Sequence, residues 1–527
     1  MSSVRLIGSR ALTDLRVFFS GAAVMIVEIA GGRVINAVYG SSAVVWGGVI
    51  GVVLTALAVG YYVGGRLADR FNPRTVITMM MLCAGVYVSM LPTVIAFLGS
   101  AAQLVYLDER LGSVVMGSAV VGVPSVFMGG VVPSAVKHLS EGRAGIGSIS
   151  GNVYALSTAG SIVGSFSTTF LLLQYVELNL IFLATGISIL LIAFLGSGRG
   201  SLLNAMLGAL FLVLLVASPT FLVCSTAYAG DVKLVTDSEY SRIVVVDHSG
   251  RRHLYINGLL HSGMDIGEPS SLPFPYTRLF VLGPLLNPLG NSVLFVGGGG
   301  FSGPKFFADS YEGLSISVVE IDGKVVDVAR QFFHLTEYEN RMQIVVMDGR
   351  RYLVLTEGLF DIIVLDAYSK NYIPFHMVTQ EFFTLLKSRL NEGGIVVSNV
   401  IASLSGPASA VLWAYVKTVM EVFGGEVLVV PVSSNNSLDV QNVMVVFGKR
   451  QLPEAGHLQM LVRYDRVASS LGIDEPISRA FLVREPPSDA VLITDGFAPI
   501  ENLMNPITMS RFGESYLAGT WRPSICA

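Results

Sequence analysis

The sequence predicts an α-helical transmembrane bundle followed by a doubly wound α/β domain with a small N-terminal β-subdomain. Three observations carry that prediction. The 527 residues have a mean hydropathy of +0.63 and only 14% charged residues, against about 25% in an average soluble protein. The charges are uneven: residues 1–231 hold 11 Lys+Arg and 8 Asp+Glu, and residues 232–527 hold 23 and 30. The apolar pattern also changes, from long runs to short alternating segments. A disordered chain, a nucleic-acid-coating protein and a purely soluble enzyme are thereby excluded. The expected boundaries are a membrane part over 1–230, a β-subdomain over 231–290, an α/β domain over 291–450 and a C-terminal extension over 451–527.

Apolar runs of about 20 residues read as membrane spans. They occur near 17–39, 43–65, 75–98, 112–136, 150–173, 178–196 and 203–223, which predicts seven helices. Small residues, as from Gly151 to Gly164, let such helices approach closely. Arg5, Arg10 and Arg16 precede the first run, which is too long for a leader, so an uncleaved first helix is expected. Further basic residues in alternate loops place the N-terminus in the cytoplasm. Seven spans would then put the second half outside, whereas a cytosolic cofactor would put it inside, so the side stays open. Ser225 to Gly230 even reads like a cleavage site. Glu28 and Arg33 fall within the first span. Charges there are costly and imply either an internal ion pair or a ligand site. Gly64-Gly65-Arg66-Leu67-Ala68-Asp69-Arg70 is similar to the loop between spans two and three of major-facilitator transporters. A plain basic turn at the lipid surface would explain it equally.

In the second half, Arg242 to Asp247 and His253 to Asn257 read as strands with a Ser249-Gly250 turn between them. From 291, strands alternate with helices. Strands are expected over Ser292 to Val296, Ile316 to Val319, Gln343 to Val346, Asp361 to Leu365 and Gly394 to Asn399, with helices over Val325 to Phe333 and Met377 to Leu390. That alternation implies a mainly parallel, Rossmann-like sheet, in which ligands bind beyond the carboxyl ends of the strands. At those ends stand Gly297, Gly298, Gly299 and Gly300, then Glu320, then Asp348 and Gly349, then Asp366. A glycine turn lets a ligand lie against backbone. Glu320 follows Gly300 by 20 residues, the spacing of an acid that binds ribose hydroxyls. Asp348 could accept from an adenine amine. Helix caps or surface charges are the bland alternatives for both acids.

No Walker lysine follows the glycines, which disfavours a triphosphate. A dinucleotide remains open, since glycines can approach a pyrophosphate, but the acidic balance of this half suits a cationic sulfonium better; an S-adenosyl cofactor would go with a class I S-adenosylmethionine-dependent methyltransferase type of fold. Cys83, Cys224 and Cys526 are far apart and the seven histidines form no HExxH, so no metal site is expected.

A set of motifs narrows this further. In order they are Y-S-R-I (240–243), L-Y-I-N-G-L-L-H-S (254–262), P-Y-T-R-L (275–279), V-G-G-G-G (296–300), V-E-I-D (319–322), M-D-G-R-R-Y-L (347–353), F-D-I-I-V-L-D-A-Y-S (360–369), I-P-F-H-M-V-T-Q-E-F (373–382) and I-T-D-G-F-A-P-I-E-N-L (493–503). Over roughly 260 residues they resemble spermidine synthases, the polyamine aminopropyltransferases, and the whole chain resembles their membrane-fused relatives. The resemblance implies transfer of an aminopropyl group from decarboxylated S-adenosylmethionine to an amine such as putrescine, with Asp366 as the catalytic acid. It also implies an amine pocket near Tyr240, Asp265, Tyr276, Tyr368 and Ser369.

The chain departs from the family's pattern in four places. Gly300 stands where the glycine loop ends in Asp, Ser369 stands for the second acid of D-S-S-D, Ser241 replaces a Gln, and the D-E-x-x-Y-H-E stretch is replaced, with only Asp265, Glu268 and Tyr276 nearby. These changes leave the acceptor amine open, and with it whether the cofactor is decarboxylated. The alternatives are a methyltransferase of the same fold using S-adenosylmethionine, or a transporter or sensor whose domain only binds a nucleoside or polyamine. The expected partners are a small-molecule amine and the lipid bilayer, with no nucleic acid; a homodimer is a candidate assembly.

Overall fold

The computed structural model describes residues 2–39, 43–105, 109–141, 145–195, 230–238, 240–368, 373–500 and 502–507. The chain divides into two compact units, Met1–Ala227 with Arg522–Ala527, and Tyr228–Trp521.

Among the described residues of the first unit, five helices are long and apolar enough to cross a membrane: Arg10–Asn36, Val44–Arg70, Pro73–Ile95, Arg110–Ser140 and Ile146–Leu172. This is a multi-pass membrane protein. The expected sixth span is a shorter apolar helix, Leu178–Phe194; its 17 residues rise about 25 Å. The expected seventh, 203–223, and most of Ser225 to Gly230 lie outside the described residues. Glycine seams explain how the helices pack. A Cβ on Gly64 would stand 2.4 Å from the backbone of Gly130, and one on Gly160 would stand 1.9 Å from the Phe18 carbonyl. Only hydrogen fits at such approaches. Arg16 is buried and donates to the Ala193 carbonyl (2.6 Å), capping the short helix. Glu28 and Arg33 stand half-buried on the first helix. Gly64 to Arg70, expected as a loop, forms the last turns of the helix Ala43–Arg70, and Asp69 there pairs with Lys137 at 2.9 Å.

The second unit opens with a four-stranded antiparallel meander of β1 (Asp231–Asp237), β2 (Arg242–His248), β3 (Arg251–Ile256) and β4 (Leu259–Asp265). Ser249-Gly250 and Asn257-Gly258 make its two-residue turns, all four residues at positive φ, as tight hairpins between right-twisted strands require.

An eight-stranded sheet follows, in the order β12-β10-β11-β9-β8-β5-β6-β7. Its strands are β5 (Ser292–Val296), β6 (Ser315–Glu320), β7 (Met342–Val346), β8 (Phe360–Leu365), β9 (Leu390–Ala402), β10 (Val427–Pro431), β11 (Gln441–Gly448) and β12 (Phe481–Val483). β5 to β9 are parallel. β11, β10 and β12 extend the sheet antiparallel from β9, an edge that the alternation of strand and helix does not announce. The segment after residue 450 supplies β12 to this sheet. The helix expected over Met377 to Leu390 is shorter, Gln380–Ser388. Thr379 caps it by accepting from the Phe382 N–H (3.2 Å), and β9 already begins at Leu390.

Successive residues of β5 face opposite cores. Val293 and Phe295 join Phe307 and Val318 on one face, and Leu294 and Val296 join Ile363 and Phe383 on the other. Burial on both faces is why these strands read as continuous apolar runs. The chain leaves β5 toward β6 and β7 and then crosses to β8 and β9. The gap between β5 and β8 is therefore the topological switch point, where such sheets bind ligands.

Candidate active site

Two strand ends meet at that switch point. Gly297, after β5, has φ +104°, and a Cβ there would stand 2.3 Å from the Asp366 carbonyl oxygen after β8. Glycine is required both by the backbone conformation and by the close approach. Gly299 also has positive φ, and the next residue but one, Phe301, is a fully buried phenylalanine at φ +57°. Such backbone strain in a bulky residue persists only where the surroundings impose it. Gly300 has another reason to be small: a Cβ would lie 2.7 Å from Ser262 Oγ and 3.2 Å from the Phe333 ring. Its side is closed by β4 and by the end of the helix Gly323–Phe332.

Glu320 ends β6 almost buried and turns back to the glycine loop. Its Oε2 accepts from Gly298 N–H (2.8 Å) and Gly299 N–H (3.1 Å), and its Oε1 accepts from Asp322 N–H (3.1 Å). Burial raises its pKa against the pull of these three donors. A carboxylate offers about four acceptor positions, so it retains room for a hydroxyl donor. Asp348 caps the helix Gly349–Leu355, accepting from Arg351 N–H (2.9 Å), and its other oxygen meets His376 Nε2 at 2.9 Å. Burial works to raise the Asp348 pKa, but these partners hold it below the ordinary value. Gly349 is a packing glycine, where a Cβ would stand 2.5 Å from Val296.

Asp366 is the acid at the centre. Asn399 Nδ2–H donates to its Oδ1 (2.9 Å) and Tyr276 O–H donates to its Oδ2 (3.2 Å). Both donors are neutral. Burial raises the pKa of Asp366, opposed by the two hydrogen bonds. The Tyr276 phenol is driven well above its ordinary value by burial and by the Asp366 charge. This leaves a carboxylate that is both basic and oriented.

The expected pocket residues divide. Tyr276 is in the site. Tyr368 has its hydroxyl on the β9 backbone, donating to the Asn399 carbonyl (3.1 Å) and accepting from Ile401 N–H (2.8 Å). Asp265 pairs with Arg251 at 2.8 Å across the hairpin. Tyr240 is half exposed. Ser369 lies outside the described residues. Ser241 and Ser238 both donate to Asp322, docking the turn before β2 onto the cap of Gly323–Phe332.

Four residues were not singled out by sequence reasoning. Asn399 had a signal, since it closes an expected strand, and His376 lies in the quoted I-P-F-H motif. Asn442 on β11 and the buried Lys305 had none. Lys305 donates to the Phe333 carbonyl (2.6 Å), and burial lowers its pKa to about 7. Among the described residues, no group of three or more His, Cys, Asp or Glu could hold a metal ion.

Residues 279–436 match the family model of the spermine/spermidine synthase domain. A probable polyamine aminopropyl transferase of Bifidobacterium longum (strain NCC 2705) is 30% identical over 275 residues, 51% of this chain and 61% of that protein. A polyamine aminopropyltransferase of Vibrio vulnificus (strain CMCP6) is 32% identical over 174 residues, 32% of this chain and 58% of that protein. The crystal structure of a probable spermidine synthase from Corynebacterium glutamicum ATCC 13032 aligns with a TM-score of 0.41 and 20% identity, covering 51% of this chain and 97% of that one. The matches span about three fifths of the length of the two curated relatives. Residues 279–436 of the second unit are thus similar to a spermidine synthase domain. In this chain they follow a membrane-spanning helical region.

Proposed function

We propose that the protein is a membrane-anchored aminopropyltransferase that uses decarboxylated S-adenosylmethionine and a small amine such as putrescine, with Asp366 as general base. The observation that carries this reading is the setting of Asp366: a half-buried carboxylate at the switch point, oriented by two neutral donors. The glycine loop, with Gly297 and Gly299 at positive φ, is a cradle that side chains would fill. Glu320 would hold the ribose and Asp348 the adenine. The donor supplies, when bound, an aminopropyl carbon activated by a sulfonium. A protonated amine has no lone pair to attack with. Asp366 takes up its proton, the amine nitrogen bonds to the carbon, and the carbon–sulfur bond breaks with its electron pair on sulfur, leaving methylthioadenosine. Holding the amine beside that carbon removes much of the entropic barrier.

A methyltransferase is the second reading, and Gly300 favours it. The glycine loop carries no acid for an aminopropyl ammonium, and Ser262 and Phe333 crowd the place such an acid would occupy. Purified protein given labelled S-adenosylmethionine, or its decarboxylated form, with a panel of amines separates the two. Methylthioadenosine is the expected product. S-adenosylhomocysteine would establish the second reading, and neither product would leave a nucleoside-binding sensor or transporter.

A further inference from the structure

Asp366 does not stand alone. Its partner Asn399 is 4% exposed on β9, and its amide is used at both ends. Nδ2–H donates to Asp366 Oδ1 (2.9 Å), while Oδ1 accepts from Asn442 Nδ2–H (2.9 Å). Asn442 belongs to β11, the first of the antiparallel strands added to the parallel sheet. In the register of β9 and β11, Asn442 faces Ile401, two residues beyond Asn399. The two asparagines are therefore diagonal neighbours on one face, a spacing that side chains of this length can bridge.

A primary amide is ambivalent: it can present either an N–H or an oxygen. An oxygen aimed at Asp366 would repel the carboxylate. The donor of Asn442 on the far side adds to that preference, because it engages the amide oxygen and holds it outward. We propose that Asn442 is a positioning residue for Asp366: it locks the Asn399 amide in the donating orientation, and so keeps Asp366 ionised and aimed. The inference rests on the reading of Asp366 as the base. The groups facing Asp366 are few. Tyr276 donates to it from the helix Pro275–Arg278, and the Tyr368 hydroxyl is already engaged by β9. Neither can replace the Asn399 N–H.

The test is a set of substitutions. Asn442→Asp replaces the donor by an acceptor, so the Asn399 amide turns over and its oxygen faces Asp366. Asn442→Gln keeps a donor and serves as the rescue variant. The first readout is the pH–rate profile of methylthioadenosine release. In Asn442→Asp its acidic limb moves up by about 1–2 pH units, and in the uncharged Asn442→Leu it moves the same way by a smaller amount, which separates the lost hydrogen bond from the added charge; a limb that moves only in Asn442→Asp overturns the inference. KM for the donor stays within about twofold of wild type, because the nucleoside is held elsewhere, and Asn442→Gln returns the limb toward wild type. The second readout needs no turnover: infrared titration of the Asp366 carboxyl in the full-length protein, identified by its loss in Asp366→Asn. The carboxyl titrates higher in Asn442→Asp than in wild type. An unmoved carboxyl in a folded Asn442→Asp protein overturns the inference. A moved carboxyl in a protein that forms no methylthioadenosine with any amine keeps the inference and rejects the aminopropyl reading.

Discussion

At the scale of single residues, one carboxylate is asked to do the chemistry. Asp366→Asn keeps the shape and removes the basic oxygen. Turnover is expected to fall by about 10²–10⁴-fold, the usual size of a general-base contribution, with methylthioadenosine affinity little changed in calorimetry. Near-wild-type turnover would remove Asp366 from the mechanism. Asp366, Glu320 and the glycines are legible in the sequence because strand ends are where this sheet type places ligands. What is not legible is how each acid is already engaged. Glu320 accepts from the glycine loop itself, so Glu320→Ala would leave three backbone N–H groups unpaired and lose stability as well as the proposed ribose contact. Lys305 shows the same gap, since a lysine five positions past the glycine run gives no sign of complete burial. Its pKa falls to about 7 when folded, against 10.5 unfolded. Between those values the unfolded chain holds the extra proton, so stability rises with pH across the window. The contribution is bounded at about 5 kcal/mol. Melting temperatures of the full chain and of Lys305→Met, compared from pH 6 to about pH 9, are expected to diverge in slope, the wild type gaining as pH rises. Parallel curves would mean that the lysine is equally protonated in both states.

At the scale of elements, the loop 492–497 is clasped to the start of the helix Gly349–Leu355, next to Asp348. Arg350 makes two bonds to Asp495 (2.7 and 2.5 Å), and Thr379 adds a third at 2.7 Å. The motif I-T-D-G-F was legible as part of the family resemblance, but its anchoring on Arg350 was not. Residues 145 positions apart leave no periodicity to read. The added antiparallel strands are hidden for a similar reason: β10 and β11 are apolar on both faces, and strand direction leaves no mark in composition. Arg350 holds the Asp495 pKa at about 2, below its ordinary 3.8. The clasp therefore stabilises the fold fully above about pH 3.8 and is lost as pH falls through about 2. At neutral pH, Asp495→Asn removes the ion pair. Amide hydrogen exchange over 493–500 is expected to quicken about fivefold, as for the loss of roughly 1 kcal/mol from a partly exposed pair. Unchanged protection there would show that Thr379 and the apolar contacts of Ile493 suffice.

At the scale of the whole molecule, the two units rest on different physics. The first is held by helices that meet through glycine; the second by two apolar cores on either side of a sheet. Every described residue assigned to the nucleoside site belongs to the second unit, whose contacts cluster separately. Two glycine substitutions test that independence in opposite directions. In Gly64→Val the new Cβ meets the Gly130 backbone at 2.4 Å, and backbone cannot rotate away, so two packed helices are forced apart. The yield of extractable, folded protein should drop, since packing is the main force between helices in lipid. The protein that does fold should bind methylthioadenosine within about twofold of wild type, since the ligand contacts themselves are intact. Gly297→Ala reverses the pattern. The alanine would sit at φ +104° with its methyl 2.3 Å from the Asp366 carbonyl, pushing β5 and β8 apart at the proposed nucleoside site. The chain should stay in the membrane after alkaline carbonate, yet bind methylthioadenosine at least about tenfold more weakly, a loss on the order of 1–3 kcal/mol from strained backbone. Loss of nucleoside affinity in folded Gly64→Val would overturn that independence.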